Sequence, residues 1–214
     1  MRTPAATQPR DIRAETNSLK TEAILGAATE LFSGRGYAKC TMDDIAHSIG
    51  VTKPFVYYRF KDKADILGAI CERGARLTHA AIAEALDTPG SCTDRLSQFC
   101  RRFALTVMDH ADFLVVYKRE VSNLRPEDRR SIAHLRAETD TLVRTLLVQG
   151  QQAGEFDLLE PTITASSITG MLSFIVDWYR PRSGLDANDV VRTTAELVMR
   201  MVGAKRSPAP KMTS

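Results

Sequence analysis

The chain has no apolar run long enough to cross a membrane. Its longest, around Ile168 to Val176, falls far short of the roughly 20 residues a spanning helix needs. Met1 to Ser18 is polar where a secretory leader would be apolar, which predicts a protein that stays in the cytoplasm. Cys40, Cys71, Cys92 and Cys100 form no CxxC pair, and His47, His79, His110 and His134 lie far apart without ligand-like spacing. No metal and no cofactor is therefore expected. The thiols read as buried or idle, and a redox-active one stays open because exposure is not visible in sequence. A phosphate loop and a nucleophile beside a base are missing too, so an enzyme is not expected. Charge of one sign is not in large excess either: the formal net charge is +3 over 214 residues, and a nucleic-acid function has to rest on local arrangement.

What is present is ordinary globular material, 43% hydrophobic and 26% charged, enough for one or two domains with a real core. Prolines and glycines fall almost only where they would separate helices, and alternating strand-like runs are missing. The predicted fold class is all-α, with about nine helices. Residues 1–18 and 207–214 read as flexible tails, 19–70 as a small head, and 71–206 as a larger helical body.

In the head, Ala23, Ile24, Ala27, Ala28, Leu31 and Phe32 make one helical stripe, ended by Gly34 and Gly36. Thr41 with Asp44 reads as a capping box opening a short helix, with Ile45, Ala46 and Ile49 inward and Gly50 closing it. Thr52 is the expected N-cap of a third helix, Pro54 sits in its first turn, and Val56 and Phe60 face the core. Asp62 and Asp65 cap a fourth helix to about Leu86, and the domain boundary is placed inside it near Ile70, since no linker composition occurs there. Further helices are predicted at about 94–108, 112–123, 127–153, 162–179 and 186–203.

Two short helices joined by a Gly50-Val51 turn and backed by a third are the minimum of a helix-turn-helix. Thr52 to Arg59 holds Lys53, Tyr57, Tyr58 and Arg59 and no acid, so its free amides and positive dipole end can face phosphate. Lys61 and Lys63 extend that edge, though a solvated face would look the same.

Residues 24–70, with the GxGY-like turn at Gly34, T-x-x-D-I-A from Thr41, G-V-T-K from Gly50 and Y-Y-x-F-x-x-K from Tyr57, resemble the N-terminal DNA-binding domain of the TetR family of transcription regulators. The resemblance implies a helix-turn-helix head on a helical effector-binding and dimerisation domain. It also implies phosphate or base contacts from Thr41, Thr52, Lys53, Phe55, Tyr57, Tyr58 and Lys63. Phe55 departs from the small residue common there, and either touches a thymine methyl or props the helix.

In the body, Thr162 to Tyr179 is nearly apolar all round, and the last helix carries two apolar stripes. Such helices need cover on every side. A homodimer through these two helices supplies it, as the resemblance also implies. Phe103, Met108, Phe113, Tyr117, His134, Met171, Phe174 and Trp178 are core or line a cavity, while Arg119, Glu120 and Arg180 flank apolar runs where a charge needs a partner or a ligand. The stretches YKREVSN, GEF and GMLSFIVDWYRP look like the TetR-type regulators of lipid, steroid and aromatic catabolism, several of which answer to acyl-CoA thioesters. That likeness implies a ligand near Tyr117, Arg119, Glu120, Met171, Phe174 and Trp178, with Arg119, Arg180 or Arg182 for CoA phosphates. The expected partners are a double-stranded, near-palindromic operator, a small-molecule effector and a second copy of the chain, with no membrane. The alternatives are an effector-independent or activating regulator and, from another class, an all-helical enzyme using Glu120 or His134.

Overall fold

The computed structural model describes residues 12–180 and 184–205, with side chains from Asn17 onward. The described residues form ten α-helices and two 3-10 turns, without a strand. They separate into two compact units at Ala69/Ile70.

In the first unit, α1 (Ile12–Arg35) is followed by a 3-10 turn at Tyr37–Lys39, α2 (Met42–Ser48), α3 (Lys53–Tyr57) and the start of α4 (Lys63–Leu86). The predicted tail over 1–18 is thus corrected in part, because residues 12–18 belong to α1; its first eleven residues, like the tail at 207–214, lie outside the described residues. Ile24, Ala28 and Phe32 of α1, with Ile45, Val56, Ile66 and Leu67, are sealed from solvent as the core of this unit. Ala23 is exposed and Ile49 half-buried, so the inner face of α1 runs through Leu25 and Thr29 instead. The Thr29 hydroxyl is tolerated there because it donates to the Leu25 carbonyl at 2.7 Å.

The second unit is built around α5 (Cys92–Asp109), which is buried along Leu96, Phe99, Cys100, Phe103, Ala104 and Val107. It follows the Ser91/Asp94 capping box and is packed by α7 (Pro126–Gln152), α8 (Pro161–Ser173), α9 (Ile175–Trp178) and α10 (Ala187–Met201). Between α5 and α7 lie α6 (Ala111–Glu120) and a 3-10 turn at Val121–Asn123. The Glu155 carboxylate, in the turn after α7, accepts from the Cys92 amide at 3.2 Å and from the Thr93 amide at 2.8 Å. It thereby satisfies free N–H groups at the start of α5. Burial pushes this carboxyl's pKa up, but the Thr93 amide and hydroxyl and the Cys92 amide together hold it below the usual range.

The single helix expected over 162–179 is instead two. The Phe174 amide is shared between Gly170 (3.0 Å) and Met171 (3.3 Å), and its carbonyl takes the Asp177 amide at 2.9 Å, a tightening that separates α8 from α9. Nor is α8 buried on all sides: it hides Ala165, Ile168 and Leu172 and leaves Ile163 69% exposed. α10 behaves alike, burying Val190, Val191, Ala195 and Val198 while exposing Leu197 and Met201. No helix among the described residues is long and apolar enough to cross a membrane.

Candidate nucleic-acid interface and internal cavity

The turn between α2 and α3 is made by Gly50, whose φ of 67° lies in the left-handed region where a Cβ is strained. The chain reverses there with the Val51 amide bonded to the Ala46 carbonyl at 3.0 Å. Thr41 caps α2 in a full capping box, its hydroxyl accepting from the Asp44 amide at 3.1 Å and donating to the Asp44 carboxylate at 2.7 Å. The Thr41 hydroxyl and amide hold that carboxyl below its usual range. Thr52 ends the turn as N-cap of α3 with an extended backbone and no side-chain cap bond, so its exposed hydroxyl is not committed to the helix.

Val56 is fully buried and anchors α3, while Tyr57 is 45% and Tyr58 83% exposed. Lys53 is exposed beside Tyr57, with its ammonium 2.9 Å from the Asp43 carboxylate, which raises its pKa. Phe55 is half-buried beneath the Arg59 guanidinium, 4.5 Å from its ring centroid, with the Lys20 ammonium 5.8 Å away. This is the geometry of a prop. It holds Arg59 within 5.6 Å of the Tyr58 ring while Arg59 also donates to Asn17 Oδ1 at 2.8 Å. Lys63 is drawn inward: its ammonium donates to the carbonyls of Tyr37 and Cys40, each at 2.7 Å, and lies 4.2 Å from the Tyr37 ring. The structure therefore groups Thr52, Lys53, Tyr57 and Tyr58 on one exposed surface, with Phe55 and Lys63 supporting it from within. Asp43 is not legible as a neighbour of this surface in the sequence, since its pairing with Lys53 runs between α2 and α3 and leaves no local signal.

The second unit holds a partly open cavity of about 210 Å³. Its apolar wall comes from Cys71 and Ala75 of α4, Phe103 of α5, Leu114 of α6 and Ile132 of α7. Its polar wall is a stripe of α7, Arg136, Thr139 and Asp140, faced by Tyr117 and by Thr169. The Arg136 guanidinium lies 5.3 Å from the Tyr117 ring centroid, and Asp140 Oδ1 accepts the Thr169 hydroxyl at 2.9 Å. Thr139, buried, donates to the Leu135 carbonyl at 2.9 Å and stands 3.2 Å from His79 Nδ1. Lys118, also at the cavity, is ion-paired with Asp177.

Of the six residues expected around a ligand, Tyr117 alone lines this cavity. Met171 packs on the core, and Phe174 and Trp178 are 57% and 44% exposed because the break after α8 turns them outward. Arg119 is exposed on α6, and Glu120 accepts from Asn123 at 2.8 Å. Arg180 donates to the carbonyls of Val176 and Tyr179, and Arg182 lies outside the described residues. His134 is exposed and pairs with Glu138, away from the cavity. Arg136 and Asp140 were missed because a helix dense in charge reads as solvated; the signal was the spacing Ile132, Arg136, Thr139, Asp140 on one face. All four cysteines are buried and free. Burial pushes the Cys71 and Cys100 thiols up to about 12.

Two family models match. "Bacterial regulatory proteins, tetR family" covers residues 24–70, and "Tetracyclin repressor-like, C-terminal domain" covers 89–202. The transcriptional repressor BepR of Brucella suis is 26% identical over 88% of this chain and 92% of its own. The transcriptional activator FasR of Mycolicibacterium smegmatis is 36% identical over 34% of this chain, which spans only about a third (33%) of FasR. Among solved structures, a tetR-family regulatory protein from Rhodococcus RHA1 superposes with a TM-score of 0.80 at 28% identity over 87% of this chain and 98% of that one. AibR in complex with isovaleryl coenzyme A and operator DNA gives a TM-score of 0.75 at 24% identity, covering 87% of this chain and all (100%) of AibR.

Proposed function

The chain belongs to the TetR family of bacterial regulatory proteins, DNA-binding transcriptional regulators and not enzymes, and on that premise we propose that it is an operator-binding repressor released by a small organic effector. The observation that carries the DNA side is α3: a protruding turn of helix with Lys53, Tyr57 and Tyr58 exposed, no acid of its own, and a buried Val56 fixing it to the head. Such a surface reads base edges in a major groove while the lysine and hydroxyls meet phosphate. The cavity of the second unit supplies the effector side, being concave, mostly apolar and furnished with a few convergent polar groups. Repression rather than activation is supported by the near full-length likeness to BepR, against a likeness to FasR that covers a third of either chain. Like its operator, the regulator works in the cytoplasm.

An acyl-CoA effector is the second reading, favoured by the fold shared with AibR. The CoA phosphates would need cations at the cavity mouth. Lys118 is held by Asp177 and Arg180 by its own helix end, which leaves Arg136 to meet them. The test is retardation of DNA from upstream of the protein's own gene. Binding should weaken steeply with salt, as phosphate neutralisation requires, and should be lost when the effector is added. Retardation that is insensitive to salt, or none on upstream DNA, would refute the operator-binding reading.

A further inference from the structure

We propose that the cavity of the second unit binds an α-amino acid with an apolar side chain, its carboxylate on Arg136, its ammonium on Asp140 and its side chain against Phe103, Leu114 and Ile132; this rests on reading the cavity as the effector site. Two charges of opposite sign line the cavity. Arg136 and Asp140 stand one turn apart on the same face of α7, a spacing at which such side chains commonly pair, yet they do not pair with each other. Among the described residues Arg136 meets the face of Tyr117 and no carboxylate, while Asp140 accepts one neutral hydroxyl, from Thr169, and meets no cation. The remaining cation of the wall, Lys118, is neutralised by Asp177.

The cavity therefore presents one open positive and one open negative group about 6 Å apart at the Cβ level, as neighbouring turns of a helix place them. A simple carboxylic acid would satisfy Arg136 and leave a carboxylate beside Asp140; an amine would do the reverse. A zwitterion whose charges sit on adjacent atoms of one carbon satisfies both, with charge-assisted bonds at each end. Size agrees. A cavity of about 150 Å³ in another protein holds benzene, so about 210 Å³ here takes a leucine- or phenylalanine-sized side chain, with the charged end at the partly exposed rim formed by Arg136 and Asp140.

Calorimetry on the full chain with L-phenylalanine, L-leucine, 3-phenylpropanoate and phenethylamine tests this. The two amino acids should bind at least about tenfold more tightly than 3-phenylpropanoate, which lacks the ammonium, and phenethylamine, which lacks the carboxylate. Asp140→Asn should erase the preference for phenylalanine over 3-phenylpropanoate, and Arg136→Gln its preference over phenethylamine. Both residues are at least partly exposed, so the helical fold should survive either change, and circular dichroism checks that. No binding by either amino acid, or equally tight binding of 3-phenylpropanoate, overturns the assignment. Operator retardation measured alongside separates the two readings. Amino-acid binding with the stated discrimination but without DNA release refutes the effector reading alone, whereas release by thioesters with no amino-acid binding refutes the ligand assignment alone.

Discussion

Lys53 meets its Asp43 partner across an exposed surface, where an ion pair contributes little to stability, so the lysine can exchange that carboxylate for a DNA phosphate at small cost. Lys53→Ala should weaken retardation of all operator sequences alike and lower the salt slope by about one. Tyr58→Ala, removing a side chain 83% exposed, should weaken binding without changing helicity. Unchanged retardation by both variants would take α3 out of the interface. The thiols make a different prediction. Cys71 and Cys100 stay protonated to about 12 in the folded chain, while an unfolded thiol ionises near 9.0, so above that value the unfolded state holds fewer protons and stability falls as pH rises. By pH 10 each thiol should cost on the order of 1 kcal/mol. Urea midpoints should therefore drop between pH 8 and 10, and Cys100→Ala should shallow the drop; a flat profile in the parent chain would contradict it. These residue-level roles were unevenly legible. The exposure of Tyr58 was readable because an aromatic flanked by basic residues has no packing purpose there, whereas the outward direction of Phe174 and Trp178 depends on a helix break that apolar composition does not reveal.

At the level of elements, what could be read was what is settled within a few residues. The Thr41/Asp44 box and the Asp62 cap of α4, where Asp62 Oδ1 accepts the Asp65 amide at 2.9 Å, are local bonds and were visible as such. The clasp of Glu155 on the start of α5 joins residues more than sixty apart and left no trace in the pattern. Just before the turn that carries Glu155, near the end of α7, stands Gly150, where an added Cβ would lie 2.2 Å from ring atoms of the buried Phe156. Gly150→Ala should therefore destabilise the second unit by about 1–3 kcal/mol, the usual cost of overpacking. Gly26→Ala in α1, where a Cβ meets nothing within 4 Å, should instead be neutral or stabilising. Thermal melting of the two variants checks the contrast, and equal melting temperatures would show that Phe156 yields without cost.

For the whole molecule, Ile163 on α8 and Leu197 and Met201 one turn apart on α10, among the apolar side chains left exposed, are the expected seam of a homodimer. Light scattering should give twice the 23.7 kDa chain mass at micromolar concentration, and Leu197→Asp should return it to one chain mass with the helical fold retained. A monomeric parent chain would remove the seam and, with it, the reason to expect a near-palindromic operator. The buried thiols finally give this protein its own set of clocks. Cys40 lies in the first unit and Cys71, Cys92 and Cys100 in the second, all sealed inside. A thiol reagent can reach each only while its surroundings stand open, so the pace of labelling at each position times the breathing of the head and of the body separately, with no probe added to either.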